Sequence, residues 1–481
     1  MQGRAILRSL GSLWVVIAIA QGTSLVPALW FREWTLVVPL LASTALSAAC
    51  GLGTRFLGPL DPRTLGRREA FAVVALGWVS VSLLGAVPYV LSGALPSPVD
   101  AFFESVSGFT TTGSSVVAEP ESLPRALLYW RALTQWLGGM GIIVLFLAVF
   151  TQLGIGARFL FHSEVPGPLK ETLTPHVRDT SAALWRIYGA MTLAQTVLLW
   201  VSGMDLFDAL LHAFTTLSTG GFSTRAASLA HWNGTAAPLI TLVFMVLAGL
   251  NFSLYQHLTH GHARPLIRDR ETRLYLALLA IATLLVAIDI RSLCSGVGEA
   301  LFQAAFQVAS LMTTTGFVTD DFDRYPDFSR ILLVVLMMVG ASAGSTAGGI
   351  KVVRLLLLAR LAHRSLYRLV RPQVVMPIRI GDRVVPETAV MEVSGFFVIY
   401  LTVFAVAALY VAGRGIDAAT ALSSVAATLG NIGPGLAQVG AIRHYGDLPA
   451  DVKTLLSLLM LLGRLELMTP LALLLPVTWR R

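Results

Sequence analysis

"GFTTTGSSV", Gly108–Val116, lies between two strongly apolar stretches of the chain. A threonine run closed by glycine is a poor helix and a poor lipid-facing surface, so its position needs a reason. Of the 481 residues, 55% are hydrophobic and 13% are charged, and mean hydropathy is +0.72. Soluble chains carry about 25% charged residues, so most of this one belongs in lipid. Segments near 8–30, 35–54, 70–92, 127–152, 181–203, 236–256, 273–290, 330–360, 391–413 and 454–477 each approach a crossing length. A span takes about 20 apolar residues, and ten crossings are expected. The first is not expected to be a cleaved signal, because no small-residue site follows it before Trp30.

The threonine run is repeated. "TTLSTGGFS" (Thr215–Ser223), "LMTTTGFVT" (Leu311–Thr319) and "ATLGNIGPG" (Ala427–Gly435) each follow a short amphipathic segment. Ala101 precedes Gly113 by twelve positions, as Ala209 precedes Gly221, Ala304 precedes Gly316 and Ala421 precedes Gly433. The residues just before, Asp100, Asp208, Gln303 and Thr420, are polar and are expected near the helix N-caps. Twelve residues of helix rise about 18 Å, roughly half of a hydrocarbon core about 30 Å thick. A half-crossing helix that returns through non-helical backbone survives at that depth only inside protein or against water. Glycine and threonine also help spans pack, but four copies at one spacing ask for more. Four units of one orientation imply an axis along the membrane normal on which the loops meet. There, glycine lets successive carbonyls turn toward one line, threonine adds hydroxyls, and the half-helix C-termini add partial negative charge. Such a ring can replace the hydration shell of a cation.

Two further features lie inside spans. "ILLVVLMMVGASAGSTAGGIKVVRLLLLAR" (Ile331–Arg360) is too long for one straight crossing, and its middle is almost all small residues. Gly340, Gly344 and Gly348 are four apart, a packing pattern. Gly348 and Gly349 together cost an exposed helix about 2 kcal/mol relative to alanine, and Lys351 follows at once, so a break facing water is expected. Arg464 and Glu466 sit in the last span two residues apart, so they do not face each other on a helix and each needs its own partner.

Basic residues sort to one side: Arg4 and Arg8, Arg63, Arg67 and Arg68, Arg158, Lys170 and Arg178, Arg264 to Arg273, Arg360 to Arg383, and Arg480 and Arg481. The opposite loops hold Glu119, Glu121, Asp320, Asp321, Asp323 and Asp327. Both termini are therefore expected in the cytoplasm. The net charge of +8 follows from this sorting and implies membrane lipid, not nucleic acid, as neighbour. His257, His260 and His262 are read as a solvated span end, and Glu104 and Gln307 as polar supports at equivalent points of two short helices.

The loops, with "QWLGGMGI" (Gln135–Ile142), "EVPGP" (Glu164–Pro168), "GSTAGGIK" (Gly344–Lys351) and "GRLELMTP" (Gly463–Pro470) in this order, resemble the superfamily of bacterial Trk and Ktr and plant HKT cation transporters. Within it the chain is most similar to the TrkH-type potassium uptake subunits, over essentially its whole length. The resemblance implies an all-α polytopic membrane protein with an N-terminal helix pair (1–66) and four span–pore-loop–span repeats around a pseudo-fourfold axis. The repeats run 67–160, 161–262, 263–372 and 373–481. The implied potassium filter is Thr110, Thr111, Thr112 and Gly113; Ser218, Thr219, Gly220 and Gly221; Thr313, Thr314, Thr315 and Gly316; and Gly430, Asn431, Ile432 and Gly433. Glycine at all four closing positions implies preference for potassium, while Asn431 and Ile432 make the ring chemically uneven. The implied gate is Gly340, Gly344, Ser345, Thr346, Gly348, Gly349 and Lys351, with Arg464 beside it. A TrkA-like cytoplasmic ring of nucleotide-binding subunits, a homodimer and a bacterial inner membrane are also implied. No Walker-type phosphate loop occurs in the sequence, so this chain itself is expected to bind no nucleotide. Obligate coupling to sodium or protons is the alternative reading. An intramembrane enzyme would need paired carboxylates, an HExxH helix or an oriented Ser/Lys or Ser/His pair, and the chain is expected not to be one.

Overall fold

Glycines and buried charges, more than hydropathy, decide where the helices of this protein stop. The computed structural model describes residues 3–58, 66–141, 177–259, 261, 264–380 and 383–476. Among these the only strands are a two-residue antiparallel pair, Arg379–Ile380 with Arg383–Val384. The Glu164–Pro168 motif, Arg63, Arg158, Lys170, His260, His262, Arg480 and Arg481 lie outside the described residues.

Helices Gly3–Thr23 and Trp34–Gly53 pack together and against Arg67–Leu91. Gln21 ties all three: its amide donates to Leu84 O at 2.9 Å, and its oxygen accepts from the Ser47 hydroxyl at 2.8 Å. Four similar units follow, each with an opening helix, a short helix, a threonine/glycine loop and a closing helix. The opening helices are Arg67–Leu91, Val177–Val201, Arg270–Asp289 and Glu387–Gly413. The short ones are Pro98–Phe109, Leu206–Leu217, Val297–Met312 and Ala418–Gly430. The closing ones begin with Arg125–Gly139, Ala237–Ala248, Asp327–Val339 and Ala450–Arg464.

The short helices have 12, 12, 16 and 13 residues, too few for a bilayer core about 30 Å thick at 1.5 Å per residue. Their N-caps differ from expectation. Ser97, Asp205 and Asp417 accept from Asp100 N, Phe207 N and Thr420 N, so Asp100, Asp208 and Thr420 lie in the first turn, three residues in. The third helix runs a turn longer, from Val297, which leaves Gln303 in mid-helix.

The sequence places a break in one closing span; the structure breaks the closing helices of the second, third and fourth units, and in the first the described helix ends at Gly139. Just beyond that end, Gly141 has φ 71°. The second stops at Ala248 and resumes at Phe252, and the third stops at Val339 and resumes at Val352. The fourth bends by 114° between Arg464 and Met468. Of the ten expected crossings, five appear among the described residues as single helices long and apolar enough to span; the closing helices and the unbroken Val177–Val201 are not among them.

The units close head to tail. The second short helix packs on the first closing helix, the third on the second, the fourth on the third, and the first on the fourth. That circuit brings four half-crossing helices around one line.

Candidate ion pathway

The four loops share one backbone turn. Thr112 N, Gly220 N, Thr315 N and Ile432 N each donate to the carbonyl five residues earlier, in Ser107, Thr215, Ser310 and Ala427, at 2.8–2.9 Å. This bond turns the chain off the end of each short helix. It also forces the preceding residue left-handed: Thr111, Thr219, Thr314 and Asn431 have φ of 54°, 54°, 58° and 56°. Such a conformation costs a non-glycine residue of order 1 kcal/mol, and only a surrounding structure that fixes the loop holds four of them.

Two residues later comes the glycine, with φ of 82°, 74°, 83° and 105° at Gly113, Gly221, Gly316 and Gly433. A Cβ on Gly113 would lie 2.0 Å from Gly220 O, one on Gly221 1.9 Å from Thr315 O, and one on Gly316 2.0 Å from Ile432 O. One on Gly433 would lie 2.9 Å from Thr112 O. Each glycine therefore faces the carbonyl just before the next glycine, and the fourth returns to the first. All four line a single cavity. The sixteen residues expected in the loops are thus brought together in one closed circuit.

Threonine hydroxyls are largely committed to holding the loops. Thr110 and Thr112 share a bond of 2.7 Å, and Thr313 and Thr315 one of 2.8 Å. Asn431 Nδ2 donates to the Thr112 hydroxyl and to Met460 O, both at 2.9 Å, and Ile432 is buried. Backbone carbonyls are the oxygens these bonds leave facing the neighbouring loop.

Behind the loops stands a second tier at one equivalent position. Glu104 accepts from Val116 N at 2.9 Å, from the Ser115 hydroxyl at 3.0 Å and from Arg131 Nε at 2.8 Å. Gln307, with its amide oxygen toward the loop, accepts from Thr319 N and Asp320 N at 3.2 Å. Between them in sequence, His212 Nδ1 donates to Asp208 O at 2.7 Å, leaving Nε2 to accept from the Ser223 hydroxyl at 3.0 Å. Glu104 and Gln307 are the supports expected from sequence. His212 belongs with them, nine positions before Gly221 as Glu104 is before Gly113; the spacing that found the loops also finds it. Arg131 and Gln135, a buried polar pair at i, i+4 on the first closing helix, also escaped the sequence reading.

The end of the first closing helix and the breaks in the other three gather around a second cavity, lined by Gly139, Gly141, Phe252, Gly348, Lys351 and Arg464 among others. Gly340, Gly344, Gly349 and Lys351 all have positive φ, between 72° and 78°. Ser342 N donates to Gly249 O, and Phe252 N donates to Gly344 O, both at 3.0 Å, so two interruptions are zipped together. Ser345 bonds Ser342 O at 2.6 Å. Thr346 reaches Leu217 O, at the end of the second short helix, at 3.0 Å. Gly348 N donates to the Thr314 hydroxyl at 2.7 Å, tying the glycine-rich stretch to the third loop. The buried Lys351 ammonium donates to Ala347 O. Glu271, absent from the sequence reading, accepts from both ends of the stretch: Ala343 N at 2.7 Å and Val353 N at 3.2 Å.

Arg464 and Glu466 have separate partners, though not for the helical reason expected: the helix ends at Arg464, and Glu466 lies in the break with φ 57°. The Arg464 guanidinium donates to Thr346 O at 3.0 Å, to Gly139 O at 2.9 Å and to Gly138 O at 2.5 Å, and to the Thr111 hydroxyl at 3.2 Å. It joins three units at once. Glu466 accepts from Arg354 at 2.6 Å.

Known proteins share this plan. The model of the TrkH family, described as cation transport protein, matches residues 45–476. "Trk system potassium uptake protein TrkH" of Vibrio parahaemolyticus is 39% identical over 100% of both chains, and the Escherichia coli K12 protein of that name is 38% identical over 100% of both. The crystal structure of the potassium transporter TrkH from Vibrio parahaemolyticus superposes with TM-score 0.90 at 37% identity, over 100% of each chain. The family is one of transporters, not enzymes. With the interlocked loops, the interrupted closing helices and these relatives spanning it end to end, the chain belongs to the TrkH family of cation transport proteins.

Proposed function

We propose that this protein carries potassium into a bacterial cell across the inner membrane, with both termini in the cytoplasm, through the ring of four loops. The observation that carries the reading is the closed circuit in which each ring glycine faces a carbonyl of the next loop. A potassium ion that sheds water there meets peptide oxygens from every unit, and the four half-helix ends add favourable potential. The stretch Gly340–Lys351 acts as gate beneath the ring, and Arg464 holds it closed by gripping Thr346 O. Relatives at 39% identity bear the name potassium uptake protein, which supports the choice of cargo. A TrkA-like nucleotide-binding partner on the basic cytoplasmic loops, and pairing as a homodimer, complete the proposal.

The test is rescue of a potassium-uptake-deficient bacterium, with and without a TrkA-type partner, against Gly113→Ser. Rescue by the native chain and its loss in the variant support the reading; equal rescue by both overturns the filter. Potassium flux into liposomes under imposed sodium or pH gradients separates gated diffusion from obligate symport.

A further inference from the structure

The second loop departs from the first and third at two residues, Ser218 and Gly220, and the second of these is the larger change. Where the first and third loops carry Thr112 and Thr315 just before the ring glycine, the second carries Gly220. Gln135 explains the exchange. Its side chain is fully buried and lies where a threonine side chain would go: a Cβ on Gly220 would fall 2.4 Å from Gln135 Cδ. Gln135 Nε2 donates to Gly220 O at 2.7 Å, and its Oε1 accepts from Phe222 N at 3.0 Å. The amide from the first unit thus brackets the ring glycine of the second, holding the residues on both sides of Gly221.

Gly220 O is also the carbonyl that faces Gly113, one of four equivalent oxygens in the circuit. We infer that Gln135 is a specificity-determining positioning residue: by donating to the ring carbonyl of the adjacent unit, it fixes that oxygen and keeps the ring too wide for a smaller cation. The inference rests on the filter reading above. Selectivity in a carbonyl ring depends on the number, field strength and mobility of its dipoles. Sodium needs closer oxygens than potassium, so a carbonyl free to swing inward admits sodium. A carbonyl held at 2.7 Å by a fixed amide cannot follow the smaller ion. Loops one and three achieve the same stiffness differently, through the Thr110–Thr112 and Thr313–Thr315 hydroxyl pairs.

The test compares purified full-length protein in proteoliposomes, measuring the potassium-to-sodium flux ratio. Gln135→Met keeps length and burial but removes the donor. The ratio should fall about fivefold, equivalent to about 1 kcal/mol at 1.4 kcal/mol per tenfold. If Gln135→Met does not assemble, Gln135→Ala with Gly220→Ala carries the measurement, since the truncation opens the space the new methyl needs; the same fall is expected. A native ratio in either assembled variant overturns the inference, provided Gly113→Ser shifts the ratio in the same assay. If Gly113→Ser also leaves it unchanged, the filter reading itself has failed.

Discussion

Replacing Arg464 with alanine deletes its bonds to Gly138 O, Gly139 O, the Thr111 hydroxyl and Thr346 O, and of these four the last restrains the proposed gate directly. The bonds to Gly138 O and Gly139 O brace the first closing helix, and that to Thr111 braces the first loop. The bond to Thr346 O, at 3.0 Å, is the one that the gate must break to move. A hydrogen bond to a charged group contributes about 1.5–3 kcal/mol net. Taking about 2 kcal/mol, the open-to-closed ratio rises about 30-fold, at 1.4 kcal/mol per tenfold. Release is not complete, because the Thr346 hydroxyl, the Gly348–Thr314 bond and Glu271 still hold the stretch. The expected result is a potassium leak into proteoliposomes, without any regulatory partner, that exceeds the native leak by roughly that factor. Arg464→Lys separates bracket from charge: an ammonium keeps the positive charge but lacks the planar fork that reaches several carbonyls. Its leak should fall between native and alanine. An Arg464→Ala protein that assembles normally and leaks no more than native would refute the argument.

Gly348→Ala should also leak, because its Cβ would lie 2.2 Å from Gly430 O and push the stretch off the fourth short helix; the same flux assay reads it. Thr314→Val removes the acceptor for Gly348 N, whereas Thr314→Ser keeps it, so the valine variant should leak and the serine variant should not. Glu104→Gln leaves the buried Arg131 without its carboxylate, a loss of about 3–5 kcal/mol seen as a lower thermal unfolding midpoint in detergent. Glu104→Gln with Arg131→Met should recover part of that loss, because the stranded charge has gone.

The loops were legible because they recur. Twelve residues from alanine to glycine, four times over, survive any doubt about a single threonine run, and the structure places all four glycines around one circuit. Three of their caps were misread by three residues because polar residues fill both the cap and the first turn, and sequence does not rank Ser97 above Asp100; the third helix begins earlier still, after Gly296. The left-handed Thr111, Thr219 and Thr314 leave no signature, since their backbone is imposed by a bond to the preceding helix and not by residue preference. The break at Gly340–Lys351 announced itself through a glycine pair and a lysine. Those at Gly249–Asn251 and Leu465–Leu467 did not, because one carries a single glycine and the other only leucines around a glutamate. Gln135 and Glu271 were missed for another reason: each serves a segment remote in sequence, visible only once the chain has closed, whereas Arg131 pairs with Glu104 inside its own unit and lacks any repeat to mark it.

That closure along a single polypeptide has an evolutionary consequence. A channel assembled from four identical subunits must accept every substitution four times, so a change useful at one quadrant is imposed on the rest. Here a mutation alters one quadrant alone. The third could accumulate glycines, the fourth could acquire an arginine bolt, and the first could lend its neighbour an amide, each without a symmetry-related copy to spoil the fit.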